Sequence, residues 1–443
     1  MERKETDYYC LTAQQEWIKN TSRRLPADTG KCGTFYTGKQ KMAEKIIRIG
    51  FVGVGDRGSY HLDSALGIEG VEVPALCDVN DSYLYRAKKW VEDSGRPTPT
   101  LYGKDETDFV RMCETEDLDV VLCATPWEFH TPCCLAAMRN GKHAISEVPI
   151  VLTVEEGWEI VETWKSTGKW ATMGLEGFRN LNLLMMIQKG LLGEVTHAEG
   201  GYMHDLRLVK YDPEREPWRL RHSITRNGNL YPDHPMSNIF PHMDINHGDR
   251  IDYIVSMSSS AQTLNEFASL YYGSSHPHAS MKMAQGDYNA SLIKTVNGKF
   301  FTLNFDTNTP HPRSFYRVAG TKGAYWGHRY SYSNSDLVFV NGEERKAGDF
   351  LPEYHHPVLR DYNPPPRPAI RGHGSGGRTH ITWYRMVQAL RNDTMPDWDV
   401  YDSLTSSVIS PISELSVSQG SKPVEFPDFT KGEWKSRPSF TLT

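Results

Sequence analysis

Gly53, Gly55 and Gly58 stand as G-x-G-x-x-G directly after an apolar run that begins at Ile46, and Asp78 closes a second apolar run downstream. Residue types in that order can bind a dinucleotide. The first glycine permits a tight turn out of a strand and the second admits a pyrophosphate to the backbone. The third lets the following helix lie close on the strand, its N-terminus facing the phosphates. An acid about 20 residues past the last glycine suits the adenosine ribose hydroxyls, so Asp78 favours NAD over NADP. Arg57, inside the turn, is the one residue suited to a 2′-phosphate. A purely structural glycine turn is the plain alternative, and the flanking strand and helix patterns weigh against it.

Other reactive side chains form no comparable pattern. His204, His222, His242, His247 and His373 crowd the second half, but no H-x-x-x-H on a helix or C-x-x-C accompanies them, so no metal site is expected. Cys10, Cys32, Cys77, Cys113, Cys123, Cys133 and Cys134 lack zinc-ligand spacing and read as reduced structural thiols. The 11 Trp and 22 Tyr either line a carbohydrate site or fill cores and interfaces.

The elements that must position these residues alternate. The pattern predicts a strand from Ile46, a helix over Ser59 to Leu66, a strand over Val71 to Cys77 and a helix over Ser82 to Ser94. The helix Phe109 to Thr115 then leads to the strand Val120 to Ala124, whose end runs into a turn at Thr125 to His130. A helix over Thr131 to Asn140, a strand over His143 to Ser146, a helix over Val154 to Ser166 and a strand over Trp170 to Leu175 complete the unit. This order calls for a doubly wound parallel sheet with ligands at its carboxyl edge. Beyond it come a helix, Leu181 to Lys189, and strands over Val195 to Leu208, Ala290 to Thr295, Lys299 to Asp306, Ser314 to Ala319 and Leu337 to Asn341. Tyr211 to Arg250 shows no regular period and reads as a long functional loop. A Pro-rich crossing at Asn363 to Pro368 precedes a helix over His380 to Arg391.

Length and charge set the outer bounds. With 443 residues there is room for two domains with sizeable cores. The net charge of −6, without a basic run, argues against a nucleic-acid partner. No apolar run reaches the ~18 residues of a membrane span. Residues 1–45 are polar and lack the apolar stretch of a secretory signal, so a cytoplasmic location is expected, with a periplasmic one open if the start is misassigned.

The glycine turn, Asp78, the turn Thr125-Pro126-Trp127-x-x-His130 and Glu147-x-Pro149 resemble the Gfo/Idh/MocA oxidoreductase superfamily. That likeness implies a Rossmann domain followed by an α+β domain with an open, largely antiparallel sheet, the sugar lying over the nicotinamide. Oxidoreductases of the superfamily usually carry a catalytic Lys where this chain has Val148. The segments Trp218-Arg219-x-x-His222, Asn227-Gly228-Asn229-Leu230-Tyr231-Pro232-x-His234, Gly320-Thr321-Lys322-Gly323, Gly372-His373-Gly374 and Pro427-Asp428-Phe429-Thr430 resemble glycoside hydrolase family 109. Members of that family are NAD-dependent α-N-acetylgalactosaminidases, and the likeness runs from Ile46 almost to the C-terminus.

The resemblance implies α/β architecture in three parts: a polar extension over 1–45, an NAD-binding domain over 46–177 and a substrate domain over 178–443. It puts Gly53, Gly55, Asp56, Arg57, Gly58, Asp78, Trp127, Glu128, His130, Glu147, Val148 and Gly177 at the NAD. It puts Tyr202, Arg219, Tyr231, Pro232, Asp233, His234 and Arg313 at the sugar, with His234, Tyr231 and Glu147 catalytic. Trp127 reads equally as an interface packing residue, and Glu147 as a turn-capping acid. The implied reaction oxidises C3 of the sugar with bound NAD, removes the C2 proton, expels the C1 substituent, adds water and returns the hydride. A small-molecule or terminal-glycan substrate follows, a homo-oligomer stays open, and a net NAD-dependent sugar oxidoreductase is the alternative. The chain departs from the family at Gly177 and Asn180, where Asn and Tyr are usual, and at Asp233, where Thr is usual. The family's substrate Tyr is replaced by Arg313 or displaced to Tyr316.

Overall fold

The computed structural model describes residues 45–176, 180–213, 216, 218–311, 313–328, 332–362 and 378–442. Gly177, His373, the Pro-rich crossing and all but the last residue of the N-terminal extension lie outside the described residues.

Six strands form a parallel sheet: β1 (Ile47–Val52), β2 (Val71–Cys77), β3 (Thr100–Tyr102), β4 (Val120–Cys123), β5 (His143–Ser146) and β6 (Ala171–Thr172). Their spatial order, β3-β2-β1-β4-β5-β6, reverses direction between β1 and β4. A crevice opens there beyond the carboxyl ends, where ligands sit in such sheets. Ile47, Ile49 and Phe51 on one face of β1 are fully buried, and Gly50 and Val52 on the other are buried too, as a strand covered on both faces requires. Gly53 leaves β1 with φ +79°, and a Cβ there would lie 2.5 Å from the Ala124 carbonyl oxygen. At Gly58 a Cβ would lie 1.7 Å from the Gly53 carbonyl oxygen, so the helix Asp56–Leu66 rests on the turn itself. That helix begins three residues before its predicted start, because the turn and the helix share Asp56, Arg57 and Gly58.

The second sheet has nine strands: β7 (Val195–Met203), β8 (Ile251–Ser258), β9 (Asn289–Thr295), β10 (Phe300–Asp306), β11 (Phe315–Gly320), β12 (Gly323–Gly327), β13 (Leu337–Val340), β14 (Glu343–Lys346) and β15 (Val424–Glu425). The order is β14-β13-β12-β11-β7-β10-β9-β8-β15, antiparallel throughout except for the central β7–β10 pair. One hydrophobic core runs through both sheets, from Ile47 to Phe429. The helix Arg378–Asn392 returns to the first sheet, where its Trp383 is fully buried and stacks on Phe51 at 6.2 Å.

Three sequence readings change. The strand over Val195 to Leu208 stops at Met203: the His204 amide donates to Asp306, and Asp205 accepts from the Arg207 amide to start the helix Arg207–Tyr211. The strand over Trp170 to Leu175 shrinks to Ala171–Thr172, because the Met173 amide donates to the Ser403 hydroxyl instead of to a neighbouring strand. Tyr211 to Arg250 is not irregular. It holds the helices Trp218–Thr225 and Asp233–Met243, the second with Pro235 in its first turn, where no intrahelical donor is lost. Strands β3, β8, β12, β14 and β15 were not expected from the sequence.

The contacts at the two glycines predict different outcomes. Gly58→Ala drives a methyl into backbone, so it should lower the melting temperature by several degrees even without nucleotide. Gly55→Ala meets only the Tyr83 ring, at 3.3 Å, and should keep the fold while losing most of the stabilisation that added NAD provides. Thermal melts with and without NAD read both; equal behaviour of the two variants contradicts this division.

Candidate active site

The glycine turn presents the N-terminus of an 11-residue helix, and Gly55 at its cap supplies no side chain to its amides. Free amides at a positive helix end are what a pyrophosphate needs. Asp78 is fixed beside them: its Oδ2 accepts from the Val54 amide at 2.7 Å and its Oδ1 from the Asn80 amide at 2.9 Å. Burial raises the Asp78 carboxyl, and those two amides pull it back. Turn, helix end and acid therefore fit a dinucleotide.

Arg57 leaves this turn toward Glu147. Its Nε lies 3.0 Å from Glu147 Oε1, and His61 Nε2 lies 2.6 Å from the same oxygen. On the far side of the imidazole the Trp383 indole, which can only donate, reaches His61 Nδ1 at 3.2 Å. His61 thus carries its proton on Nε2 and donates it to Glu147. Burial alone would raise the Glu147 carboxyl, but Arg57 and His61 hold it well below the usual carboxylate range. A carboxylate so stabilised is a poor proton acceptor at neutral pH, so its position suits anchoring Arg57 more than exchanging protons.

The turn after β4 braces the same region. His130 is buried, with Nδ1 2.7 Å from the Pro149 carbonyl and Nε2 2.9 Å from the Thr125 carbonyl. Each ring nitrogen faces a backbone carbonyl, and the ring ties this turn to Glu147-Val148-Pro149. Val148 is buried. Glu128 pairs with Arg221 of the helix Trp218–Thr225. Trp127 is packed among His222 at 4.5 Å, Trp218 at 5.2 Å and Tyr231 at 5.6 Å, so it joins the first sheet's edge to the second half of the chain.

Tyr231 opens a second cluster. Its ring stacks on Tyr202 of β7 at 4.2 Å, and His234 lies 4.9 Å from Tyr231 and 5.1 Å from Tyr202. The helix Asp233–Met243 can ride this close on β7 because Gly200 is bare; a Cβ there would be 2.8 Å from Pro235. Arg219 lies 5.7 Å from the Tyr231 ring and 4.4 Å from Trp218, and pairs with Glu216. Arg313 lies 6.0 Å from the Tyr202 ring. Burial and the neighbouring Tyr202 push the Tyr231 phenol far up, so at neutral pH it holds its proton.

Glu176, which the sequence reading passed over as a strand end, lies with Oε1 2.7 Å from His234 Nδ1. The carboxylate orients the ring and directs Nε2 away from itself. An acid at the carboxyl edge of a parallel sheet was the available signal, yet nothing in the sequence pairs it with a histidine 58 residues on. His61, His204 and His222 were likewise not assigned to a site from sequence.

Two assigned residues are not brought to this cluster. Asp233 is fully buried, its Oδ1 accepting from the Ser406 hydroxyl at 2.7 Å and the Ser407 hydroxyl at 3.1 Å. Pro232 is buried as the residue that caps the helix start. Tyr316 does not supply a displaced substrate tyrosine: it is fully buried and its hydroxyl meets His242 Nδ1 at 2.7 Å. Among the described residues no group of three or more His, Cys, Asp or Glu is placed to hold a metal ion. Among the described residues, too, Cys77, Cys113, Cys123, Cys133 and Cys134 are buried free thiols, and no helix is long and apolar enough to cross a membrane.

Burial raises Asp233 to about 6, against the pull of the two serine hydroxyls. The folded value lies above the unfolded one, so the ionised group costs stability at neutral pH, on the order of 3 kcal/mol, and the cost fades as pH falls from about 6 to 4. Asp233→Asn should therefore melt higher than the parent at pH 8, with the gap closing by pH 4.5. A gap that is the same at both pH values contradicts a buried charge.

A family model described as "Glycosyl hydrolase 109, C-terminal domain" matches residues 178–436, and one described as "Oxidoreductase family, NAD-binding Rossmann fold" matches residues 47–175. Family 109 proteins of Shewanella putrefaciens and Shewanella pealeana are each 37% identical, over 403 and 398 residues; both alignments cover 88% of this chain, and 86% and 87% of theirs. Solved structures share the fold. Levoglucosan dehydrogenase in complex with NADH aligns with a TM-score of 0.65 at 18% identity, over 87% of this chain and all of its own. The WlbA dehydrogenase of Bordetella pertussis, in complex with NADH and UDP-GlcNAcA, aligns with a TM-score of 0.62 at 16% identity, over 87% of this chain and 99% of its own. With an NAD-binding Rossmann sheet before a matching C-terminal half, the chain belongs to glycosyl hydrolase family 109.

Proposed function

We propose that this enzyme cleaves terminal N-acetylgalactosamine-type glycosides with an NAD that stays bound and is restored in each cycle. The observation that carries the reading is the packing of Tyr202, Tyr231 and His234 into one cluster, with Glu176 on the far nitrogen of His234. When bound, NAD supplies a reversible hydride acceptor for C3 of the sugar. Next to a C3 ketone the C2 proton becomes acidic, and His234, oriented by Glu176, is the group that takes it. Tyr231 retains its proton and serves as donor to the departing oxygen at C1. Arg57, held by Glu147, presents positioned N–H donors to oxygen atoms gaining negative charge. We assign the cofactor to residues 46–177 and the sugar to residues 178–443.

Val148 replaces the lysine that net sugar oxidoreductases of the superfamily usually carry, which favours the route on which the C3 hydroxyl proton and the hydride are both returned to the sugar within one cycle. Two carboxylates flanking the glycosidic bond, the usual arrangement for direct displacement, are not needed.

The test is turnover of aryl α- and β-glycosides by the NAD-loaded protein while absorbance at 340 nm is followed. Aglycone should accumulate without NADH; one NADH per sugar consumed would assign the chain to net oxidation. His234→Ala should lower kcat by about 10²–10⁴-fold, and Glu176→Gln should cause a smaller loss with bound NAD unchanged. A substrate deuterated at C2 should react more slowly or lose label to solvent. Full retention of the label by an active enzyme rules out the elimination route.

A further inference from the structure

Arg313 is held at the rim of the aromatic cluster by its own backbone neighbourhood. Ser314, with φ +39°, donates its amide to the Met203 carbonyl at 3.1 Å, which fixes the entry to β11 beside the end of β7. From there Arg313 Nη1 reaches His204 Nε2 at 3.2 Å, and His204 Nδ1 lies 3.1 Å from the Tyr202 hydroxyl. A guanidinium only donates, so Nε2 is the acceptor and the imidazole carries its proton on Nδ1, donating to Tyr202. Burial, then Arg313 and Arg219, push His204 down to about 3, consistent with a neutral ring. Tyr202, with a lone pair already engaged, turns its own proton outward.

The other arginines of this region are neutralised. Arg57 is paired with Glu147, Arg219 with Glu216 and Arg207 with Asp205. Among the acids, Asp306 faces Thr309 and His311. Arg313 is exposed and makes no ion pair among the described residues. A guanidinium without an ion-pair partner among the described residues thus stands one aromatic ring away from Tyr231 and His234, tethered to the His204 ring. Its planar fork matches a carboxylate or a sulfate in a two-point contact.

We propose that the sugar recognised here carries an anionic oxygen group, a ring carboxylate or a sulfate ester, and that Arg313 is the residue that selects it, with His204 and Tyr202 as the relay that positions it. This rests on the reading of Tyr202, Tyr231 and His234 as the sugar site, and it goes beyond that reading by naming the charge of the substrate.

The experiment measures binding of galacturonate, N-acetylgalactosamine 6-sulfate and N-acetylgalactosamine to the NAD-loaded full chain by calorimetry. The acidic sugars should bind about tenfold more tightly than the neutral one, the scale of one hydrogen-bonded charge pair. The ratio should fall toward one in Arg313→Gln, persist in part in Arg313→Lys, and shrink for the parent as salt rises. The stronger of the two acids identifies carboxylate or sulfate as the group. A parent that binds the neutral sugar as tightly as both acids overturns the proposal, as does a preference that survives Arg313→Gln. Should that variant not fold, a preference that ignores salt overturns it equally. Binding with the expected preference but no hydrolysis of the matching aryl glycoside would reject the glycosidase reading and leave this one standing.

Discussion

A single largely enclosed carboxylate, Glu147, organises the junction on which the rest of the structure depends. It receives Arg57 and His61, both from the helix that follows the glycine turn, and through His61 it is linked to Trp383 of a helix from the far end of the chain. Arg57 keeps 47% of its side chain exposed while Glu147 keeps 14%, so removing Arg57 would leave a largely enclosed carboxylate with His61 as its remaining side-chain partner. The glycine turn, the end of β5 and the helix Arg378–Asn392 therefore share one electrostatic arrangement.

The second half of the site is held by shape instead of charge. Bare backbone at Gly200 lets Pro235 touch β7, and this contact sets Tyr202, Tyr231 and His234 face to face. Trp127 then laces the cluster to the first sheet's edge. Charge fixes the junction at Glu147, and ring packing sets the aromatic cluster.

The glycine turn was legible because its demands are local: φ at Gly53 and close approach at Gly58 are set by residues a few positions away. The parallel strands other than β3 were legible for the same reason, through their apolar runs. Legibility failed where a distant partner decides the outcome. Strand β6 ends where Ser403 takes the Met173 amide, and β7 ends where Asp205 starts a helix. Pro235 and Pro241 disguised the helix Asp233–Met243 as a loop, though the first of them sits where a helix tolerates proline. The family resemblance put Asp233 beside the sugar, whereas Ser406 and Ser407 draw it into the core. Glu176 and Tyr316 were ambiguous until their partners, His234 and His242, were placed.

The return of Trp383 to Phe51 has a consequence for the order of synthesis. Trp383 and its hydrogen-bond partner His61 are 322 residues apart, so the first sheet emerges from the ribosome long before the helix that covers one of its faces. At ~5–20 residues per second the uncovered face waits roughly 15 to 65 seconds. During that interval the nascent nucleotide-binding half exposes apolar strand surface, until the helix Arg378–Asn392 arrives to cover it.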